Sequence, residues 1–373
     1  MRKISNFILK DKVFLIAVII AIFTIFLVPP SKEYLTYINY KVLVVMFTIM
    51  LAVAGIYESH FFYYIATKLV MHLKNMRYIA LSIVLTTFVL AMFLTNDAVL
   101  LTLIPFSIFI LKYVKMDKQT IYIIILQTIA ANMGSALTPM GDPQNIYLYA
   151  FYQIPFNTFL TMTLPVTIIG GILIVITTII LMPKKAVELN ITTPKVDLKS
   201  LGIYSLILLN ALFSILRIIP LLYTFIITIV LGLIFARHLF KRVDWYLLLT
   251  FISFFIITGN LSRMENIGFV LSNFLDGRIK VYFTGMIASQ FISNVPTAVL
   301  LSTFTDSSMS RYLLQGVNVG AMGTLIASLA SLISFKYILR DFSEHAKKYI
   351  IFYSLISLIF MTVITIFLWL WIW

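Results

Sequence analysis

Apolar residues run along this chain in long blocks separated by short basic loops. A helix needs about 20 apolar residues to span a bilayer. The blocks at 13–30, 41–57, 160–182, 200–216, 219–236, 245–258 and 346–373 reach or approach that length and are predicted as spanning helices. Four other regions are interrupted. A polar kink divides 77–112 at Thr95-Asn96-Asp97 and 278–304 at Ser293-Asn294-Val295-Pro296-Thr297, and we read both as re-entrant hairpins. Glycine, proline and polar residues break 119–151 and 311–338. Polar, non-helical backbone at membrane depth is tolerated only where protein or a cavity buries it. The two tips are therefore expected to meet inside the protein.

Composition agrees with a membrane protein. Hydrophobic residues make up 61% of the 373 and charged residues 11%, against roughly 25% charged in a soluble domain. The bilayer must solvate most of this surface. There is no cysteine, which excludes disulfides, thiolate metal sites and cysteine nucleophiles. The net charge of +14 does not mark a nucleic-acid binder, because the basic residues lie in short loops, where they set membrane orientation. With both hairpins returning to the side they came from, Lys32, Lys41, Arg217, Arg263, Arg278, Lys280 and Arg311 fall outside. The other 21 of the 28 basic residues fall in the cytoplasm. The expected placement is multi-pass in the cell membrane, N-terminus cytoplasmic and C-terminus extracytoplasmic. The basic stretch Met1 to Lys12 leads into a retained first helix, and Trp369, Trp371 and Trp373 fit an interfacial belt.

The two halves match in order. FTIMLAVAGIYES (47–59) aligns with FISFFIITGNLSR (251–263), which sets Gly55 opposite Gly259, and a short amphipathic stretch follows each. Asn96 matches Asn294, and Ala98-Val99-Leu100-Leu101 matches Ala298-Val299-Leu300-Leu301. Asn132-Met133-Gly134 matches Asn318-Val319-Gly320, with Thr138 and Thr324 six residues beyond the asparagines. The predicted fold is an all-α polytopic membrane protein with two inverted-topology repeats, each holding a re-entrant helical hairpin and a broken transmembrane helix. Residues 1–40 form an N-terminal helix and loop, 41–182 the first repeat, 183–199 a cytoplasmic linker and 200–373 the second repeat. In such transporters ligands bind near the midplane, between discontinuous helices.

The broken segments supply the candidate chemistry. Thr95, Asn96, Ser293, Asn294 and Thr297 offer oxygen ligands suited to a hard cation such as sodium. Gly134, Gly141, Gly320 and Gly323 permit close backbone approach. Asp97 and Asp142 are carboxylates inside the membrane, where an ionisable group is by default a functional candidate. Asp97 has no acidic counterpart, Thr297 being its nearest match, so the site is expected to be asymmetric. Substrate contacts are expected from Asn96, Asp97, Thr138, Asn294, Thr297 and Thr324. Cation contacts are expected from Thr95, Asn96, Asp97, Gly134, Ser293, Asn294 and Gly320, with Asn132, Asp142, Asn145 and Asn318 in support. Asn210 stands alone and is read as a helix–helix hydrogen bond. Glu58 is read as a solvated residue at the membrane interface. The four histidines, His60, His72, His238 and His345, form no H-x-x-H pair, and no metal other than Na⁺ is expected. No basic residue lies deep in the predicted site, so an anion would be held by N–H groups, hydroxyls and amides, helped by a bound cation.

FLTNDAVLLTLIP (93–105), NMGSALTPMGDPQN (132–145), SNVPTAVLL (293–301) and NVGAMGTLIASLASL (318–332) resemble the ion transporter superfamily. That group includes the citrate-transporter-like permeases, the divalent-anion/sodium symporters, the arsenical pump membrane proteins and the D-type sodium/proton antiporters. The resemblance covers nearly the whole chain. The divalent-anion symporters carry Ser-Asn-Thr at each tip. The Asn96-Asp97 pair here looks more like the arsenical-pump and antiporter branches. The resemblance implies a homodimer, an elevator motion, and unwound helices at Gly134 and Gly320 closing the cation sites. The function expected is secondary transport of a small anion, a di- or tricarboxylate or an inorganic oxyanion, coupled to Na⁺ or H⁺, with no other cofactor. The alternatives are a Na⁺/H⁺ antiporter or arsenite-type efflux permease, an intramembrane enzyme, and a passive channel. An enzyme lacks support, since no Ser/His pair in membrane and no H-E-x-x-H is present.

Overall fold

The structure, a computed structural model, describes residues 12–189 and 191–372. The basic stretch Met1 to Lys12, Trp371 and Trp373 lie outside the described side chains. The helices are α1 (Lys12–Leu27), α2 (Tyr34–Tyr37), α3 (Tyr40–Glu58), α4 (Phe61–Val70), α5 (Met76–Phe93) and α6 (Asn96–Tyr113). They continue with α7 (Asp117–Ser135), α8 (Pro143–Phe151), α9 (Phe156–Leu181), α10 (Leu198–Ile215), α11 (Leu221–Phe235) and α12 (Trp245–Ser262). The last are α13 (Glu265–Phe274), α14 (Arg278–Ile292), α15 (Asn294–Ser302), α16 (Ser310–Val319), α17 (Leu329–Asp341) and α18 (Ala346–Ile372). Among the described residues there is no strand beyond one isolated bridge, and seven helices are long and apolar enough to cross a membrane. The protein is an all-helical, multi-pass membrane protein.

Helix α11 shows why lipid must surround it. Its buried residues are Thr224, Thr228 and Gly232, four apart on one stripe. Leu222, Ile226, Val230 and Leu233 are exposed. This reverses the pattern of a soluble protein, since polar groups need partners in lipid and apolar ones do not. Asn210 on α10 donates to the Thr224 carbonyl at 3.0 Å and the Thr228 hydroxyl at 3.1 Å, the interhelical role expected of it. Glu58 is less solvated than expected, because Arg242 and His238 each bind one of its carboxylate oxygens at 2.6 Å.

Both hairpins and both broken helices form where the sequence divides. Helices α5 and α6 pack together across the break at Leu94-Thr95, and α14 and α15 across Ser293. Helices α7 and α8 are separated by residues 136–142, and α16 and α17 by 320–328. The packing is exchanged: α6 lies on α17, and α15 on α8. Helices α9 and α18 pack on the broken helices, and the other long helices form a second group, in which α1 packs on α12 and α10 on α3. Contacts at the loops tie neighbouring helix ends together. Arg242 pairs with Glu58, and Lys112 covers the Phe342 ring; Arg263 pairs with Glu33 at the other end. The linker docks at the Glu58 end, through Asn75 bridged to Ala186 and Asp197 N–H bonded to the Ser59 carbonyl.

Matched glycines make matched close approaches. A Cβ on Gly55 would lie 2.2 Å from the Tyr204 ring, and one on Gly259 2.3 Å from the Tyr37 ring. On Gly134 it would lie 2.1 Å from the Phe88 carbonyl, and on Gly320 2.8 Å from Met286 backbone. Phe88 and Met286 each stand eight residues before their tip asparagine. Gly134 therefore lies within helix α7, and Gly320 caps α16 with right-handed geometry. Both act by letting a hairpin arm touch the helix; Gly134 is not in an unwound stretch, and Gly320 opens the break that follows α16.

Backbone cannot yield as a flexible side chain can. Gly134→Ala is expected to destabilise the protein by about 1–3 kcal/mol or more. Gly202→Ala, where nothing lies within 4 Å, is expected to be neutral or to gain up to about 1 kcal/mol in helix propensity. Thermal unfolding in detergent distinguishes them, and equal melting temperatures would refute the close-packing role.

Candidate functional site

The tips and the broken helices are joined by the same bonds in each half. Asn96 N–H donates to the Gly141 carbonyl at 3.1 Å, and Asn294 N–H to the Ala327 carbonyl at 2.9 Å. Gly141 and Ala327 each stand nine residues beyond Asn132 and Asn318. The Thr138 hydroxyl donates to the Met92 carbonyl, and the Thr324 hydroxyl to the Gln290 carbonyl, four residues before each tip asparagine. Each tip asparagine turns its Oδ1 onto the next N–H, that of Asp97 at 2.8 Å and that of Val295 at 2.9 Å. These bonds satisfy backbone groups that the breaks release from helical pairing.

This register corrects two sequence matches. Val99 N–H bonds to the Thr95 carbonyl as Thr297 N–H bonds to that of Ser293, so Thr297 corresponds to Val99. Asp97 corresponds to Val295 and not to Thr297. The Ala-Val-Leu-Leu identity is offset by two residues. Helix α15 is continuous from Asn294 and has no place for the insertion that identity would require.

The buried side chains link the halves. Asn132 Nδ2 donates across to the Ser328 hydroxyl at 3.3 Å and the Ala321 carbonyl at 3.4 Å. Asn318 Nδ2 crosses the other way to Asn145 Oδ1 at 2.8 Å, and Gln144 Nε2 reaches Asn318 Oδ1 at 3.3 Å. Asn96 Nδ2 donates to Asp142 Oδ2 at 2.8 Å and to Asn132 Oδ1 at 3.2 Å. The two tips thus meet in one network, from Asn96 through Asn132 to Ser328, whose neighbour Ala327 binds Asn294.

The halves differ where it matters chemically. Asp142, ten residues beyond Asn132, accepts from Asn96. Its counterpart ten residues beyond Asn318 is Ser328, which bonds instead to Ser331 at 2.8 Å. Asn294 Nδ2 is consequently buried without an acceptor, and its orientation is fixed because Oδ1 takes the Val295 N–H. Asp97 Oδ1 is likewise buried without a donor. Unmet buried groups cost about 1–3 kcal/mol each. Gln144 Oε1 is a further buried acceptor without a donor. The site therefore holds one unmet donor suited to an anion and unmet acceptors suited to a cation or proton.

The other candidates fall into place around it. Asn145 donates to the Ser135 carbonyl at 3.0 Å, and Thr297 donates back to the Ser293 carbonyl at 2.8 Å. Thr95 and Ser293 precede their helices half-buried, Ser293 at a φ of 74°. Thr324 is exposed and outside the buried network, held at N–H and hydroxyl by Gln290. Gln290 also donates to the Gly320 and Met322 carbonyls at 2.7 and 2.9 Å, so the Gly320 carbonyl is already engaged. Sequence reading missed Gln144, Gln290 and Ser328, although Ser328 was findable by the ten-residue spacing that places Asp142. Among the described residues no cluster of three or more His, Cys, Asp or Glu could hold a metal ion.

Known proteins are similar to this chain in sequence. A family described as citrate transporter matches residues 3–328. An uncharacterized transporter of Methanocaldococcus jannaschii is 30% identical over 301 residues, covering 80% of this chain and 81% of that protein. The inner membrane protein YbiR of Escherichia coli is 29% identical over 339 residues, covering 87% of each. The human P protein is 30% identical over 122 residues, 32% of this chain and 14% of that protein.

The unequal tips predict unequal costs. Asn96→Ala removes two amide donations and leaves Asp142 Oδ2 with only the 3.4 Å Ser135 contact, so it should lose about 1–3 kcal/mol more stability than Asn294→Ala. Matching unfolding midpoints for the two variants in detergent would contradict the asymmetry.

Proposed function

The chain belongs to the citrate transporter family, and from that premise we propose a secondary active transporter that moves a small anion coupled to Na⁺ or H⁺. The anion is a di- or tricarboxylate or an inorganic oxyanion. The observation that carries this reading is the pair of oppositely suited unmet atoms at the two tips of the buried polar network. Asn294 Nδ2 is a fixed donor without an acceptor, and Asp97 Oδ1 an acceptor without a donor. An anion placed at the first and a cation or proton at the second would satisfy both. Each ligand lowers the cost of burying the other, since opposite charges attract strongly where water is excluded. That mutual stabilisation is what coupling requires.

The mechanism we propose is alternating access of the elevator type. The hairpins and broken helices, with α9 and α18, form one group that moves against α1, α3 and α10–α12. Cavities at opposite ends of their boundary support this. One of about 510 Å³ lies between the start of α3, α8 and the end of α12. One of about 650 Å³ lies between the end of α3, α4 and α6. We further propose that the repeats are inverted about the membrane plane, bounded as 41–182 and 200–373. Charge bias supports a cytoplasmic N-terminus in the cell membrane, and the family resemblance supports a homodimer. A second reading, as a Na⁺/H⁺ antiporter or arsenite-type permease, draws on Asp97 and Asp142. Neither has a basic partner among the described residues.

Liposomes test the proposal. Purified protein should take up labelled citrate, succinate, sulfate or phosphate when a Na⁺ or H⁺ gradient is imposed. Gradient-driven arsenite flux, or cation exchange without any anion, would transfer the assignment to the second reading. Asn294→Ala is expected to abolish coupled flux while the protein still folds, and wild-type flux would remove it from the site. Asp97→Asn should flatten the dependence of flux on pH or Na⁺. In the proton case wild-type uptake rises as external pH falls, and the variant no longer responds. An unaltered profile would make Asp97 structural.

A further inference from the structure

The two end cavities differ in charge. At the larger one, Arg242 is bonded to Glu58, which also binds His238. Its cation is thereby compensated. The smaller cavity is lined by Thr36, Asn39, Lys41, Tyr147, Thr258 and Thr303, among others, and no carboxylate lines it. Lys41 is half-buried with no ion pair among the described residues, and the Arg217 guanidinium stands at the same end. Arg217 is itself held by the Ile154 carbonyl and the Tyr149 ring. This is an uncompensated positive field over a low-dielectric recess, the arrangement that concentrates anions.

The donors available there are few. The hydroxyls of Thr36, Thr258 and Thr303 donate to the carbonyls of Glu33, Phe254 and Val299. Asn39 uses its Oδ1 on the Val42 N–H, which leaves its amide nitrogen to donate. Lys41 offers its ammonium. The cavity wall includes Thr303, just past the end of α15, whose first residue is Asn294. Nine helical residues rise about 13 Å, so one short helix separates this cavity from the unmet Asn294 amide.

We propose that this cavity is an anion antechamber, in which Lys41 and Asn39 hold a carboxylate or oxyanion transiently before it reaches the Asn294 tip. The proposal rests on the reading of the chain as an anion transporter, and it assigns recruitment to one end only. At the other end Glu58 cancels the equivalent attraction. Lys41 governs capture and not the transport step.

The absence of cysteine makes a direct test possible. A Thr36→Cys variant carries one thiol in the cavity wall. Its labelling rate is measured with an anionic methanethiosulfonate (the ethylsulfonate) and a cationic one (the ethyltrimethylammonium). The ratio of the two rates cancels any change in thiol ionisation. That ratio should fall about tenfold when Lys41→Gln is added and recover with Lys41→Arg. In the Lys41 background it should also collapse at high ionic strength. A ratio unaffected by Lys41→Gln or by salt overturns the antechamber, whatever the flux. In liposomes Lys41→Gln should raise KM for anion uptake several-fold at unchanged maximal rate, and an unchanged KM overturns it equally. A Lys41-dependent labelling ratio without gradient-driven flux would keep the anion site and reject the transporter reading.

Discussion

A peptide group left without a hydrogen bond inside a bilayer costs several kcal/mol, and this protein interrupts four helices at that depth. Each interruption is affordable only because another faces it. The N–H of each tip asparagine finds a carbonyl in the neighbouring broken helix, and the asparagines of those helices reach across to the opposite half. The fold follows from this need. Exchanged packing of α6 on α17 and of α15 on α8 brings the four ends into one buried volume, with the apolar helices α9 and α18 packed against it.

Much of this was legible in the sequence because polar residues are conspicuous in an apolar chain. Asn96, Asn294, Asn132 and Asn318 are visible as interruptions of otherwise continuous spans, and the hairpin and broken-helix limits fall within a few residues of those read from composition. The short range of that signal also explains what was missed. Ser328 and Gln144 are ordinary polar residues near helix starts, and only their partners some 180 residues away in sequence give them meaning. The Ala-Val-Leu-Leu match misled because identity among common apolar residues carries little register information, whereas the bonding pattern at the tips fixes it. The two end cavities depend on α3 meeting α8, α12 and α6, contacts that hydropathy does not encode.

The asymmetry between halves is chemical and not architectural. The same backbone scheme carries Asp142 in one copy and Ser328 in the other, and Asp97 in one and Val295 in the other. In one half the tip amide is satisfied by an amide–carboxylate hydrogen bond at 2.8 Å, and in the other it is left without an acceptor. A duplicated frame with unequal side chains sets an unmet donor and an unmet acceptor at different tips, which is the difference that the proposed coupling draws on.

The glycine contacts carry a mechanical consequence. Gly134 seats the backbone of α7 on that of α5 at Phe88, and Gly320 does the same for α16 on α14 at Met286. Main chain pressed on main chain leaves no side-chain cushion to shear. A hairpin could not swing open by itself without unseating these joints, so in the proposed elevator motion hairpin and broken helix would travel as one stiff block. The compliance of the molecule then belongs to the aromatic-lined seam against α3 and α12, where friction and leak would both be decided.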